Sequence, residues 1–340
     1  RLHIVVAGRN AEKMQKDVNI VRTAAAIRGQ LRSKIDVEAD CNLEDVSSIA
    51  LCLDKWHPDF IINSSRVYSG LKYGSLSWNN LRAYGIWTPL SIRYARNIMK
   101  AYEAADCNAI SINTSYSDAV IPWLKSAGNA YFDFGSGNLN HLIPRMKFYI
   151  ADKYGIENLN EIDITLCVSH FHDVISKEGH SEGVDILLDV RYRGDSLPID
   201  KDALLKACMI PMPVDQKRNM MNASSNFNII YSILDAISNK KKVKIHTPGV
   251  NGEIGGYPYI IDATGSVATS YFDTSIFSME KMRMINRESI YLDGVADIKE
   301  GNLYYTPELV EKVKNVWGKD LPLEVHFNDI DEVGQYIIDN

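Results

Sequence analysis

The first ten residues, Arg1-Leu-His-Ile-Val-Val-Ala-Gly-Arg-Asn10, constrain this chain more than any other stretch. Residues 2–7 are an apolar, β-branched run of the kind found in a parallel strand buried on both faces. Gly8-Arg9-Asn10 turns the chain, and residues 11–16 read as a helix start. In a dinucleotide-binding βαβ unit, the second strand ends beside the adenosine ribose. An acid there takes the ribose hydroxyls of NAD, and a base takes the 2′-phosphate of NADP. Arg9 stands at that position, with Asn10 beside it and no acid. The glycine fingerprint of such a unit lies roughly 20 residues upstream. The expectation is therefore that the first strand and glycine loop are missing from this sequence. The same ten residues also suit an ordinary α/β chain whose first strand ends in Gly-Arg-Asn.

The length of 340 residues suits two domains better than one. A net charge of −6 argues against bulk binding to nucleic acid or an anionic membrane. The dense basic run at 240–244 reads as a solvated loop. Five cysteines at 41, 52, 107, 167 and 208 form neither a C-x-x-C pair nor a zinc spacing. They fit free thiols in a reducing, cytoplasmic compartment, with no metal site expected. No apolar run approaches the ~20 residues of a membrane span.

The first third alternates strand and helix: helix 12–29, strand 34–39, helix from 40–45 to about 55, strand 60–63, helix 89–106, strand 109–113 and helix 118–127. Asp40 or Asn42 is the expected cap of the second helix. This series predicts a Rossmann-like, doubly wound parallel sheet. After about residue 128 the pattern changes to helix 139–154, strands 162–170 and 184–193, helix 216–238, strand 242–246, a glycine-rich turn at 248–258, a hairpin over 259–272, and helices 279–290 and 307–317. The expected division is a nucleotide-binding domain over 1–128 and an α+β substrate domain, also carrying oligomer contacts, over 129–340.

In a doubly wound sheet, ligands bind at the carboxyl ends of the strands. Here those ends are Gly8-Arg9-Asn10, Asp40-Cys-Asn42, Asn63-Ser64-Ser65 and Asn113-Thr-Ser115. Small side chains let a cofactor approach the backbone, and amides read its polar edges. Turn preference alone also places Asn and Ser there. Gly8-Arg-Asn-Ala-Glu-Lys, Asp40-x-Asn-Leu-Glu-Asp and Pro58-Asp-Phe-Ile-Ile-Asn63, in that order, resemble the saccharopine dehydrogenase-like NAD(P)-binding domain over residues 1 to about 130. The resemblance implies Arg9 and Asn10 at the adenosine 2′-position, Asp40 near the adenine, and Asn63, Ser64 and Ser65 along the pyrophosphate–nicotinamide path. Two features depart from it. The glycine fingerprint is missing, and bulky Arg66-Val-Tyr68 replaces the usual small residues.

Ser169-His170-Phe-His172-Asp173 ends a predicted strand, so alternation puts both rings on one face if the strand continues through Phe171. Either ring suits general acid/base work, because imidazole titrates near neutrality. His-x-His also suits a metal pair, though no third ligand cluster is visible in the sequence, and histidines bonded to backbone at a polar strand end are the remaining reading. His246 and Tyr257 flank the glycine-rich turn and are candidate substrate contacts, unless the turn only closes a hairpin. Asn222, Ser225 and Asn226 share one helix face, which suits a polar pocket or solvent equally. Gly135-Ser-Gly-Asn138 reads as a turn that opens a helix.

These features lead to an expected NADP-dependent oxidoreductase, with NAD as the other cofactor, acting on a small molecule. The saccharopine-type resemblance implies hydride transfer at an amine- or imine-bearing carbon of an amino-acid-derived substrate. His170 or His172 is the expected proton donor, with His246 in reserve. Arg66 is the candidate for a substrate carboxylate. A homo-oligomer is expected, with no nucleic-acid or membrane partner. Two alternatives stand beside this reading: a non-catalytic or regulatory protein that keeps the nucleotide fold, and a non-redox enzyme on the same fold.

Overall fold

The computed structural model describes residues 2–67, 77–213 and 215–340. Two compact units emerge, residues 1–59 with 96–109, and residues 60–95 with 110–340.

In the first unit, strands β1 (His3–Ala7) and β2 (Lys34–Glu38) pair in parallel, His3 opposite Lys34 and Ala7 opposite Glu38. Helix α1 (Ala11–Ile27) connects them and α2 (Val46–Trp56) follows. Asn10 caps α1 by accepting from the Lys13 N–H at 2.9 Å. The cap of α2 is Asp45, which accepts from the Ser47 N–H. Neither Asp40 nor Asn42 fills that place, because residues 40–44 make a turn of their own, with Asn42 Oδ1 on the Glu44 N–H. Glu38 is buried and takes both Lys55 Nζ at 2.6 Å and Trp56 Nε1 at 2.8 Å. The β1 run is not buried on both faces as its composition suggested. Among the described residues it pairs with β2 alone, and Leu2 and Ile4 remain over a third exposed.

In the second unit, β3 (Phe60–Asn63), β4 (Ile110–Asn113) and β5 (Phe134–Gly135) form a parallel sheet. Its register puts Asn63 opposite Asn113 and Asn113 opposite Gly135. Helix α3 (Thr88–Ala104), of which residues 96–104 belong to the first unit, follows β3, and α4 (Ser117–Ser126) and α5 (Asn138–Tyr154) follow β4 and β5. The rest is antiparallel. β6 (Ile162–Cys167), β7 (Leu187–Tyr192) and β8 (Asp195–Ser196) form one sheet, with the short helices α6 (Asp173–Glu178) and α7 (Lys201–Ala207) around it. Helix α8 (Asn219–Asn239) leads into β9 (Lys242–Pro248), β10 (Gly256–Asp262) and β11 (Thr269–Phe272), a second sheet. After α9 (Met279–Leu292), a third sheet joins β12 (Val295–Lys299), β13 (Asn302–Tyr305) and β14 (Glu324–His326), with α10 (Pro307–Trp317) and α11 (Ile330–Asp339).

Among the described residues, two apolar clusters help to hold this unit. One joins Ile112 of β4 and Phe134 of β5 to Ile229 and Ile233 of α8 and to Tyr257 and Tyr259 of β10. The other joins Leu142, Met146 and Ile150 of α5 to Ile164 and Leu166 of β6 and Leu204 of α7. The parallel sheets and their helices make this an α/β fold, and the antiparallel remainder is α+β.

Candidate functional site

The site is built around Asp293, the residue that ends α9. Its carboxylate is almost fully buried and receives three donors. The Tyr84 N–H lies 2.6 Å from Oδ1, the Tyr116 hydroxyl 2.8 Å from Oδ2, and His170 Nδ1 2.9 Å from Oδ2. Its backbone carbonyl accepts from the Gly85 N–H at 2.7 Å. Residue 85 must be glycine here, since a Cβ would stand 2.6 Å from that carbonyl oxygen.

Three rings pack on one another beside this carboxylate. His170 lies 4.8 Å from Tyr84 and 5.0 Å from Tyr116, and the two tyrosines are 5.1 Å apart. Tyr116 belongs to the connection from β4 to α4. Its φ of 45° puts a bulky residue in the left-handed region, at a cost of about 1–3 kcal/mol. That strain turns its phenol onto both His170 and Asp293. The carboxyl end of a parallel strand is thereby tied directly to the histidine.

The electrostatics follow from this packing. Burial opposes charge on His170. The Asp293 carboxylate, with Asp173 and Asp118 behind it, outweighs burial and raises the imidazole pKa above its ordinary value. Burial and the Asp293 charge push the Tyr116 phenol well up, so it stays a donor. Asp118, in the first turn of α4, is also buried, and its carboxyl is pushed up to about 6, chiefly by desolvation. The His170 charge and backbone N–H groups oppose that rise without cancelling it.

The predicted histidine geometry is only half realised. β6 stops at Cys167 and residues 170–172 form a helical turn, so strand alternation does not relate the two rings. The His172 side chain lies outside the described residues, as does Tyr68. The turn carries His170 to Asp293, 123 residues away in sequence.

The strand-end residues form a linked polar layer. Asn63 Nδ2 donates to Asn113 Oδ1 at 2.8 Å, and Asn63 Oδ1 accepts from the backbone and hydroxyl of Ser65. Asn113 Nδ2 donates to the Ser115 carbonyl and to Ser117 Oγ. Ser64 is exposed. Ser115 Oγ is buried with no partner among the described residues, an orphan that such a layer should not leave. Arg66 Nη1 donates to the Tyr84 hydroxyl at 3.4 Å, which puts Arg66 and His170 on the same tyrosine. In the first unit, Arg9 and Asp40 are exposed at the ends of β1 and β2, while the Asn10 amide oxygen is taken by its helix cap.

Three predicted contacts serve the framework instead. His246 is buried in β9 and its Nε2 accepts the Leu166 N–H at 3.1 Å. Burial lowers its pKa to about 3, so it is a neutral structural ring. Tyr257 is 0 % exposed, and its hydroxyl donates to the Ile254 carbonyl. The glycine-rich turn closes the β9–β10 hairpin and packs against α4. At Gly249, φ +73°, a Cβ would lie 2.2 Å from the Ser117 carbonyl oxygen. Asn222 is half-buried, but its face-mates are enclosed. Ser225 accepts from the Gly137 N–H and from Asn140, and Asn226 accepts from Thr114 and Ser136.

Sequence reading did not single out Asp293, Tyr84, Tyr116 or Asp118. An Asp-Gly pair after a helix looks like an ordinary stop, and Tyr116 carries no motif. Arg145 of α5 was also missed. It is buried, its Nη atoms donate to the Cys208 and Ile210 carbonyls and the Met212 sulfur, and its Nε has no partner among the described residues. Glu178, His180 and Glu182 bring three residues of metal-ligating type together, and Arg82 donates to both carboxylates.

No family model matches the chain, so the saccharopine dehydrogenase-like resemblance gains no support there, and no curated protein matches it. Solved structures do. A malate dehydrogenase from Aeropyrum pernix is similar at 14% identity and a TM-score of 0.51, over 86% of this chain and 97% of its own. A minor L-lactate dehydrogenase from Enterococcus mundtii is similar at 14% identity and 0.49, over 85% and 87%. A 6-phospho-alpha-glucosidase from gut microorganisms, in complex with NAD and Mn2+, is similar at 11% identity and 0.47, over 99% and 90%. The chain shares the α/β fold of the malate dehydrogenase.

Proposed function

We propose that this protein is an NAD(P)-dependent oxidoreductase in which His170, held by Asp293, exchanges the proton that accompanies hydride transfer. One observation carries the reading. The His170–Asp293 pair touches Tyr116 at the carboxyl end of a parallel strand, where doubly wound sheets take their ligands.

Asn63, Ser65, Asn113 and the orphan Ser115 Oγ fit the polar edge of a nicotinamide nucleotide. Such a cofactor supplies the hydride chemistry when bound, and the chain supplies position and the proton. Asp293 holds Nδ1 of His170, and the imidazole exchanges a proton with a substrate oxygen or nitrogen. Arg66, at the Tyr84 hydroxyl, suits a substrate carboxylate. Arg145 is a second candidate, because α5 packs on the 170–172 turn and its guanidinium meets no carboxylate in hydrogen-bond range among the described residues. Residues 1–128 would serve the cofactor and 129–340 the substrate, in a cytoplasmic homo-oligomer. Arg9 at the end of β1 favours NADP. An amino-acid-derived imine is the substrate class, on the strength of the sequence resemblance.

The test is the rate of NADPH oxidation with a panel of 2-oxo acids and amines. His170→Asn is expected to lower turnover by about 100- to 10,000-fold while cofactor affinity stays within two- to three-fold. Turnover that survives the substitution removes His170 from the chemistry.

A further inference from the structure

Helix α8 has two apolar faces. Ile229, Ile233 and Ala236 point into the core. On the opposite side Met220 is 67% exposed, Phe227 53%, Tyr231 56%, Leu234 40% and Ile237 44%. At 100° per residue, Met220, Phe227, Tyr231 and Leu234 fall within one narrow stripe along the helix. The Phe227 and Tyr231 rings already touch, with centroids 6.2 Å apart.

We propose that this stripe is where two copies of the chain pair, α8 packing antiparallel on its own copy about a two-fold axis. An isologous contact needs a self-complementary surface, and the stripe has one. About a two-fold at residue 229, Phe227 faces Tyr231 of the other copy. Met220 faces Ser238 and Leu234 faces Ser224, so outside the central ring pair each large side chain meets a small one. Ser224 and Ser238 are both exposed on the same stripe. Charge agrees. Asp235 is the one charged residue of this 21-residue helix, and it is paired with Lys241, so within residues 219–239 no like charges meet across the axis. A lipid surface would call for cations along the flank of the helix itself; residues 219–239 carry none, and Lys217, Arg218 and Lys240 to Lys242 stand only at its two ends. The exposed apolar side chains cover on the order of 500 Å², near the most that a monomer leaves open. Counted on both copies, that is about 1,000 Å², the lower bound of a specific interface.

The test is light scattering of the whole protein across micromolar concentrations. Twice the chain mass is expected. Phe227→Glu with Tyr231→Glu should weaken pairing by more than about 100-fold, with an unchanged circular dichroism spectrum. A second measurement does not depend on that variant folding. Ser224→Cys with Leu234→Cys should give a disulfide-linked dimer under mild oxidation, and neither single replacement should. Within one chain the two positions lie about 15 Å apart along the helix, too far for a disulfide. A wild-type monomer with no cross-link overturns the proposal. So does a dimer that persists in the double-glutamate variant.

Discussion

Replacing Asp118 by Asn is expected to stabilise the protein, and to do so more at high pH. The carboxyl titrates at about 6 in the fold against 3.8 unperturbed. A raised folded value means that the folded state holds the proton more tightly. That contribution is present below 3.8 and is lost as pH rises through about 6. Two pKa units at ~1.4 kcal/mol each give a penalty of about 3 kcal/mol on the native ionised acid at pH 8. Near pH 4.5 the same balance leaves about 1 kcal/mol. Asn keeps the shape and an oxygen for the backbone donors, and it has no charge to desolvate. Urea unfolding of both proteins at the two pH values is the assay. The gain from Asp118→Asn should be about 2 kcal/mol larger at pH 8 than at pH 4.5. An equal gain at both, or a loss at pH 8, would refute the argument that a buried carboxylate is held there at a cost.

Asp293→Asn should lower the His170 pKa, because the largest opposition to burial is removed and only Asp173 and Asp118 still oppose it. The acid-dependent limb of the pH–rate profile should move to lower pH, and the variant should lose about 1.5–3 kcal/mol of stability with the charge-assisted bond. The His170 part of that stability is present below the unfolded histidine value and fades as pH rises through the raised folded value. A profile that does not move would separate the two residues. Arg9→Asp should reverse a preference for NADPH over NADH in a fluorescence titration, since it removes a cation and adds an anion. Unchanged preference would take Arg9 out of cofactor choice.

β3 and β4 were legible in the sequence because each is a short apolar run closed by Asn, and Asn63 and Asn113 do end up hydrogen-bonded across the sheet, whereas the two-residue β5 read as part of a glycine-rich turn. The partner of His170 was not legible. Asp293 reaches it through the order of sheets and helices over 123 residues, and no local spacing encodes that. Strand alternation failed at His170 because pairing with β7 stops at Cys167 and the backbone turns helical. The glycines at 249–256 suggested ligand approach, whereas Gly249 admits the α4 backbone at Ser117, Gly255 the Asn286 side chain and Gly256 the Val168 carbonyl. The β12–β14 sheet escaped notice because its strands are three to five residues long. Such runs carry too little periodicity to read.

The most direct measurement is titration of the protein with NADPH and with NADH, followed by nicotinamide fluorescence, in wild type and in Asn113→Leu. The account predicts saturable binding of one molecule per chain, tighter for NADPH. It also predicts a loss of at least about ten-fold in Asn113→Leu, where an amide linking two strand ends becomes an apolar side chain. No saturable binding of either nucleotide to the folded wild-type protein would contradict the oxidoreductase reading at its root.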